Sequence, residues 1–149
     1  MEKNYQRYID KRGFQVDYPE LWEGREEQDV IILYAPQKNN IFEANVTIML
    51  QKLDKGILTV KEYGEVTILQ LQEITDDEII SYFKNCKFCN QGGQVLIYEL
   101  PFKERKNAYL QCWTVKDDYV LLVTYTNDNQ YFNDFLDDAK EIVDSISFI

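Results

Sequence analysis

The stretch over residues 14–22 constrains the fold of this chain more than any other. Residues 14–18 (Phe-Gln-Val-Asp-Tyr) alternate apolar and polar side chains, which is the period of a strand with one buried face. Pro19 ends such a strand because it has no N–H to donate to a neighbouring strand. Leu21 and Trp22 follow at once, and we expect both to fold back over one end of a core. The pattern is that of a structural corner and carries no chemistry of its own.

Length and composition indicate one soluble, globular domain with an aromatic core. The chain has 149 residues, of which 11 are Tyr, 8 Phe and 2 Trp, and a chain of this size buries about two-thirds of its unfolded surface. Apolar runs fall short of the roughly 18 residues that cross a bilayer, and the polar N-terminus lacks a secretory pattern. The odd number of cysteines, 3, gives no disulfide framework. We therefore expect a cytoplasmic location, a polar lead-in (helical or extended) over residues 1–13, and a single domain over residues 14–149.

The net charge of −10 limits the classes of partner. An acidic protein repels phosphate groups, so nucleic acid and anionic membrane surfaces are poor candidates. A basic protein surface is allowed, although charge that only keeps the protein in solution explains the same composition. We expect a protein partner and no membrane insertion, and a homodimer stays open.

Hydrophobic periodicity predicts the other elements. Strands are expected over residues 29–35, 41–53, 78–88, 94–102, 108–116 and 119–126, separated by loops or turns at 23–28, 37–40, 90–93, 103–107 and 117–118. The last four strands are joined by short turns, so we expect an antiparallel meander. Its second and fourth strands are apolar on both faces and need cover on both sides, which one helix on each face of the sheet would provide.

Two helices are predicted. Thr59 precedes Glu62 by three residues, which is the capping-box signature of a helix that runs to about residue 74. The second helix, capped by Asp128 or Asn129, carries an unbroken apolar stripe at helical spacing that ends near residue 146. The tail over residues 147–149 is apolar, and we expect it to dock on the core.

Three short motifs and the order of the elements resemble the PsbP-like/DcrB-like superfamily. The motifs are F-x-V-x-Y-P-x-x-W over residues 14–22, A-N-V-T-I over 44–48 and I-V-x-S-I-S-F over 142–148. The resemblance implies an α+β fold, an α-β-α sandwich whose mainly antiparallel sheet of about seven strands is flanked by helices. Its members are mostly not enzymes: they include an extrinsic photosystem subunit, a Ran-binding import factor, bacterial lipoproteins and chaperones for the transmembrane segments of secreted toxins. The resemblance supplies no catalytic residue, and fold alone does not assign a function.

Cys86 and Cys89 form the motif most suggestive of chemistry, a C-x-x-C. A structural zinc site needs four Cys or His ligands, but the chain has no His and only Cys112 besides. A redox C-x-x-C lies at a helix N-terminus, whereas this pair falls at the end of a predicted strand. A Cys86–Cys112 disulfide would cross two strand spacings, about 9–10 Å, although a disulfide requires Cα atoms within about 7 Å. We expect ordinary half-buried thiols.

The remaining polar residues do not suggest catalysis. Without His, the chain cannot form a Ser-His-Asp triad or use histidine as an acid or base. The acidic runs at 76–78, 117–118 and 137–138 lack the alternate spacing of a calcium loop, and we find no glycine-rich phosphate loop. We therefore predict no enzymatic activity, no catalytic residue, no cofactor and no metal.

The sequence favours a non-enzymatic protein-binding or chaperone-like domain that uses an exposed sheet edge or a sheet face left uncovered by helices. The alternative is a small-molecule or lipid carrier with a cavity between sheet and helix. The candidate contact residues are one predicted strand face and one basic hairpin tip: Tyr109, Gln111 and Trp113, and Lys103, Arg105 and Lys106. Core packing is the favoured explanation of the strand face, and full burial of Trp113 would remove it as a contact residue.

Overall fold

The computed structural model describes residues 3–37, 42–57, 59–74 and 78–149. The elements are, in chain order, β1 (Tyr5–Asp10), β2 (Phe14–Pro19), β3 (Glu23–Glu27), β4 (Val30–Tyr34), β5 (Asn45–Lys52), α1 (Val60–Ile74), β6 (Ile80–Phe88), β7 (Gln91–Phe102), β8 (Arg105–Lys116), β9 (Tyr119–Asp128), a 3₁₀ helix (Asn129–Asp134), α2 (Leu136–Ser145) and β10 (Ser147–Phe148). The predicted turn at 37–40, the predicted start of a strand at 41 and the acidic run at 76–78 lie wholly or partly outside the described residues.

The strands form two antiparallel sheets. The large sheet has seven strands in the order β3-β4-β5-β9-β8-β7-β6, and the small sheet has three in the order β1-β2-β10. Helix α1 packs on β7 and β8 on one face of the large sheet, while α2 packs on β2 and β9 on the other. The predicted α+β sandwich and the meander β6 to β9 are thus confirmed. The small sheet, which the sequence did not predict, shares the second face with α2.

The corner after β2 forms largely as predicted. The Trp22 N–H donates to the Pro19 carbonyl (2.9 Å), and the Trp22 ring packs edge-on against Phe135, with 5.8 Å between ring centroids. Leu21 is 82% exposed, so the prediction that it also covers the core is wrong. The turn reverses the chain in three residues and directs only one of the two large side chains inward.

Two predicted connections are in fact strands. Residues 23–28 were expected to form a loop, but β3 pairs with β4, and its side chains are all exposed. An edge strand with no buried face shows no alternation, which is why periodicity missed it. Gly92 and Gly93 lie in β7, and the turn before them consists of Cys89 and Asn90, whose φ angles are 55° and 61°. Gly93 is needed inside the strand, because a Cβ there would lie 2.7 Å from the Trp113 carbonyl oxygen.

The apolar stripe of the C-terminal segment is divided between two helices, the 3₁₀ helix and α2. Asp128 accepts a hydrogen bond from the Gln130 N–H (2.9 Å) and caps the 3₁₀ helix, as predicted. Phe135 then leaves helical geometry (φ −122°, ψ 11°) before α2 begins, so the prediction of one unbroken helix is wrong. The tail docks as predicted: β10 pairs with β2, and the Ile149 N–H donates to the Gly13 carbonyl (2.9 Å).

The lead-in is extended and forms β1, whose last residue, Asp10, has a buried carboxylate. Arg12 donates from Nε and Nη2 to the two Asp10 carboxylate oxygens (2.7 and 2.9 Å) and from Nη1 to the Asp29 carbonyl (2.6 Å). These hydrogen bonds outweigh burial and hold the pKa of Asp10 below its usual value. The pair therefore ties the β1–β2 hairpin to the turn between β3 and β4.

Asp10→Asn is expected to lower the free energy of unfolding at pH 7 by about 2–3 kcal/mol. A carboxylate whose pKa is lower in the folded state stabilises the fold above its unfolded pKa, and this contribution is lost as pH falls through the folded pKa. The variant should therefore lose less stability than the wild type between pH 5 and pH 2 in urea denaturation. Asp17→Asn should show a smaller change, because the Asp17–Arg7 pair is more exposed. Equal acid sensitivity of Asp10→Asn and wild type would contradict this role.

Candidate functional site

The second face of the large sheet is only partly covered. Helix α2 packs on β2 and β9, and an open groove with a volume of about 410 Å³ lies between this helix and β6, β7 and β8. We call it the α2 groove and define it by its apolar lining and its charged rim: Tyr82, Cys86, Val95, Ile97, Cys112 and Val143, with Lys87, Lys140 and Asp144 at the rim. The α2 groove is therefore a part of this sheet face that α2 leaves open.

Strand β7 supplies the floor of the α2 groove. Its side chains alternate between two core clusters: Leu96 and Tyr98 are buried on the α1 side, whereas Val95 and Ile97 pack towards α2 and remain half-buried. The strand is apolar on both faces, as the sequence showed, but α2 does not extend over this part of it. The groove is therefore an apolar sheet surface with incomplete cover.

The thiols at the groove are suited to packing and not to nucleophilic chemistry. Cys86 and Cys112 line the groove, Cys89 lies in the following turn, and all three are free thiols. Burial raises the pKa of Cys89 and of Cys112 to about 12 and also raises that of Cys86. Reactive thiols need the opposite shift. Within the described residues, no cluster of three or more Cys, Asp or Glu side chains is placed to hold a metal ion.

The α2 groove opens onto β6, which is the last strand of the large sheet in the described part of the chain. Two aromatic side chains are exposed here, Tyr82 at the groove and Phe83 on the α1 side. The Phe83 ring stacks on Trp113 with 6.5 Å between centroids. Sequence reasoning predicted β6 as a strand but not its edge position, because strand order is set by pairing across the whole sheet.

The predicted contact face on β8 is part of the core. Trp113 is fully buried, 0% exposed, and its Nε1–H donates to the Val60 carbonyl (3.2 Å) under α1. Gln111 is buried and accepts a hydrogen bond from the Tyr98 hydroxyl (2.9 Å), and Tyr109 stacks on Tyr98 at 4.8 Å. The interpretation of Trp113 as a contact residue is therefore wrong, because α1 covers this face.

The basic hairpin tip is separate from the α2 groove. It joins β7 to β8 at the end of β7 that is remote from the Cys89–Asn90 turn. Arg105 lies there but is engaged within the fold, since it donates to Asp128 (3.0 Å) and to Asn107. Lys103 and Lys106 are exposed, and their contact role stays a prediction.

Comparison with solved structures identifies the fold. No protein-family model matches the chain, and no curated protein matches its sequence significantly. Cyanobacterial PsbP (CyanoP) from Synechocystis sp. PCC 6803 superposes with a TM-score of 0.67 at 12% identity, over 100% of this chain and 95% of that one. LpqN, involved in cell envelope biogenesis of Mycobacterium tuberculosis, gives 0.64 at 11% identity, with coverages of 96% and 90%. The Saccharomyces cerevisiae Ran-binding protein Mog1p gives 0.59 at 7% identity, with coverages of 99% and 96%.

The class defined by these structures is an open α+β sandwich built on a seven-stranded antiparallel sheet. More particularly, the chain has the PsbP-like/DcrB-like fold, which confirms the resemblance predicted from the three sequence motifs. At these identities the likeness establishes the fold alone. In the described residues, neither helix is both long and apolar enough to span a membrane.

Proposed function

We propose that this protein is a non-enzymatic, protein-binding domain with a chaperone-like role, and that it binds its partner through the α2 groove and the adjoining edge of β6. The observation that carries the proposal is the combination of half-buried apolar side chains in an open groove with exposed aromatic residues on β6, an edge strand of the described sheet. Exposed apolar surface of this kind on a rigid scaffold is typical of protein interaction sites.

Two further observations support this proposal. The thiols near the groove have raised pKa values, which disfavours catalysis by cysteine. Among structures of the same fold, Mog1p is a Ran-binding protein, which shows that this fold can serve protein recognition. Three free thiols also agree with a reducing compartment such as the cytoplasm.

A small-molecule or lipid carrier is the second candidate function, and the volume of the α2 groove favours it. A volume of about 410 Å³ lies within the range of about 300–1,000 Å³ that is usual for small-ligand sites. Carrier sites bury most of their ligand, however, whereas this groove is open along β6. The openness of the site makes protein binding the better-supported function.

Capture with matched tyrosine variants tests the proposal. Tyr82 at the groove and Tyr119 at the start of β9 have nearly equal exposure, 43% and 42%. Tyr82→Asp should lower the amount of a stoichiometric partner retained under reducing conditions at least tenfold, because it places a charge beside the apolar groove, whereas Tyr119→Asp should retain it. The readout is quantitative peptide mass spectrometry of the bound fraction, with native mass spectrometry of the purified protein alongside.

The two candidate functions predict different results. A non-covalent small molecule that is bound by wild type and Tyr119→Asp but lost from Tyr82→Asp, with no protein retained, would replace the binding-domain proposal with the carrier. Equal retention of the protein partner by both variants would show that the α2 groove is not the binding surface.

A further inference from the structure

We propose that β6 binds an extended segment of another protein as an added strand, and that this segment alternates apolar and acidic side chains. The inference rests on the proposed function and names its mode of recognition and the chemistry of its partner. It is argued from the free edge of β6, from the different surfaces on its two sides, and from the charge around it.

The outer edge of β6 offers a regular row of backbone groups. Residues 82–88 pair with β7 in continuous register, and the register shift lies at the other end of the strand, between Ile80 and Tyr82. No described strand lies beyond β6. Alternate N–H and C=O groups along this edge therefore point outward, and an extended peptide can pair with them.

The two edges of the large sheet differ in how they are protected. Strand β3 at the opposite edge has the sequence Glu-Gly-Arg-Glu-Glu, and every one of its side chains is exposed, so charge discourages pairing there. Strand β6 instead exposes Tyr82 and Phe83. This edge strand is nine residues long and carries Lys84 and Lys87 beside its aromatic side chains, so it is long enough to pair with a partner, and its charge disfavours basic segments rather than acidic ones.

The surfaces on the two sides of β6 determine the pattern of the added strand. Successive side chains of a strand point to opposite faces, so one set would enter the apolar α2 groove. The other set would lie over a hollow beside α1, whose lining includes Lys61, Phe83 and Asn85. Apolar side chains fit the first surface, and carboxylates fit the second.

The charge around β6 selects an acidic partner. Four lysines line the two surfaces that flank it, Lys61, Lys84, Lys87 and Lys140, against the two acids Glu65 and Asp144. The ion pairs of the described residues involve none of these four lysines. In a chain with a net charge of −10, such a locally basic edge attracts acidic segments and disfavours pairing with the same basic edge of a second copy.

The experiment uses a defined probe, an acetylated and amidated peptide of alternating Ile and Glu that is nine residues long, the length of β6. Titration followed by amide NMR should shift β6 resonances, and alternate β6 amides should become protected from hydrogen exchange. The corresponding Ile/Lys peptide should bind at least tenfold more weakly. Lys84→Glu combined with Lys87→Glu should weaken binding of the Ile/Glu peptide at least tenfold. The control pair Lys11→Glu and Lys55→Glu changes two exposed lysines and should alter binding less than about twofold, because neither residue lines the two surfaces that flank β6.

Backbone N-methylation of the peptide separates strand pairing from side-chain docking. Methylation at one set of alternate residues should abolish binding, and methylation at the other set should leave it within about threefold, since only one edge of an added strand pairs with β6. If neither set weakens binding while Tyr82→Asp still loses its captured partner, strand addition is overturned and the proposed function stands. If neither peptide binds and Tyr82→Asp also retains the partner, both are overturned. Protection of β6 amides by self-association without peptide would assign the edge to a second copy of the chain and overturn the inference.

Discussion

Trp113→Ala is expected to lower the free energy of unfolding by about 4 kcal/mol. The side chain is fully buried and its ring contacts Tyr63 and Phe83, with 5.7 and 6.5 Å between centroids. Truncation would leave a large cavity between α1 and the sheet, and the Val60 carbonyl at the start of α1 would lose its indole donor. Urea denaturation followed by far-UV circular dichroism measures the loss as a lower transition midpoint.

Trp113→Phe is the matched control for this prediction. It keeps an aromatic ring in the same core cluster but removes the hydrogen bond to Val60, so it should cost about 1–2 kcal/mol. A loss below about 1 kcal/mol for Trp113→Ala would show that the residue does not hold α1 on the sheet.

Periodicity predicted those strands that have one buried face or two. It identified β2, β4, β5 and β7 to β9 because their side chains are buried in a regular pattern, and it also identified β6, although the side chains of that strand are largely exposed. It missed β3, which is exposed throughout, and the sheet role of β1, whose alternation is weak. Both strands form by backbone pairing with a neighbouring strand, β1 with β2 and β3 with β4. Backbone pairing does not require alternating apolar and polar side chains in a strand that is exposed to solvent.

The two glycines Gly92 and Gly93 explain why the turn between β6 and β7 was predicted at the wrong residues. Consecutive glycines after Asn90 favour a turn in any sequence-based analysis, yet the turn lies at Cys89 and Asn90. Gly93 sits in β7, against the backbone of Trp113. The requirement for a small residue comes from a strand that is distant in sequence, so the local pattern could not distinguish close approach from a turn.

The sequence predicted the type of surface that a binding site would use, but it did not predict the position of that surface. The sequence indicated a strand, now β7, that is apolar on both faces, and it predicted a binding surface at an exposed edge or an uncovered face. The surface itself depends on how far α2 extends across β7, which follows from the docking of α2 on β2. The sequence analysis named Trp113 as one candidate contact residue, because large aromatic residues are common both in cores and at interfaces.

Arg105→Ala is expected to destabilise the protein by about 3 kcal/mol through the charge that it leaves unpaired. The Asp128 side chain is only 3% exposed, and Arg105 donates to one of its oxygens at 3.0 Å while the other oxygen caps the 3₁₀ helix. Arg105 also lies over the Phe102 ring at 4.8 Å. Without the guanidinium, a buried carboxylate at the junction of β9 and the 3₁₀ helix would have no cation.

The neighbouring lysines provide the control that separates structure from binding. Lys103→Ala and Lys106→Ala change exposed side chains in the same hairpin and should each cost less than about 0.5 kcal/mol. Combining Asp128→Asn with Arg105→Ala should cost less than the sum of the two single changes, because the double variant no longer buries an unpaired charge. If Arg105→Ala left the urea midpoint unchanged but weakened partner capture, Arg105 would be a contact residue. The buried position of Asp128 instead favours a structural role, which leaves the exposed lysines as the part of this hairpin that is free to meet a partner.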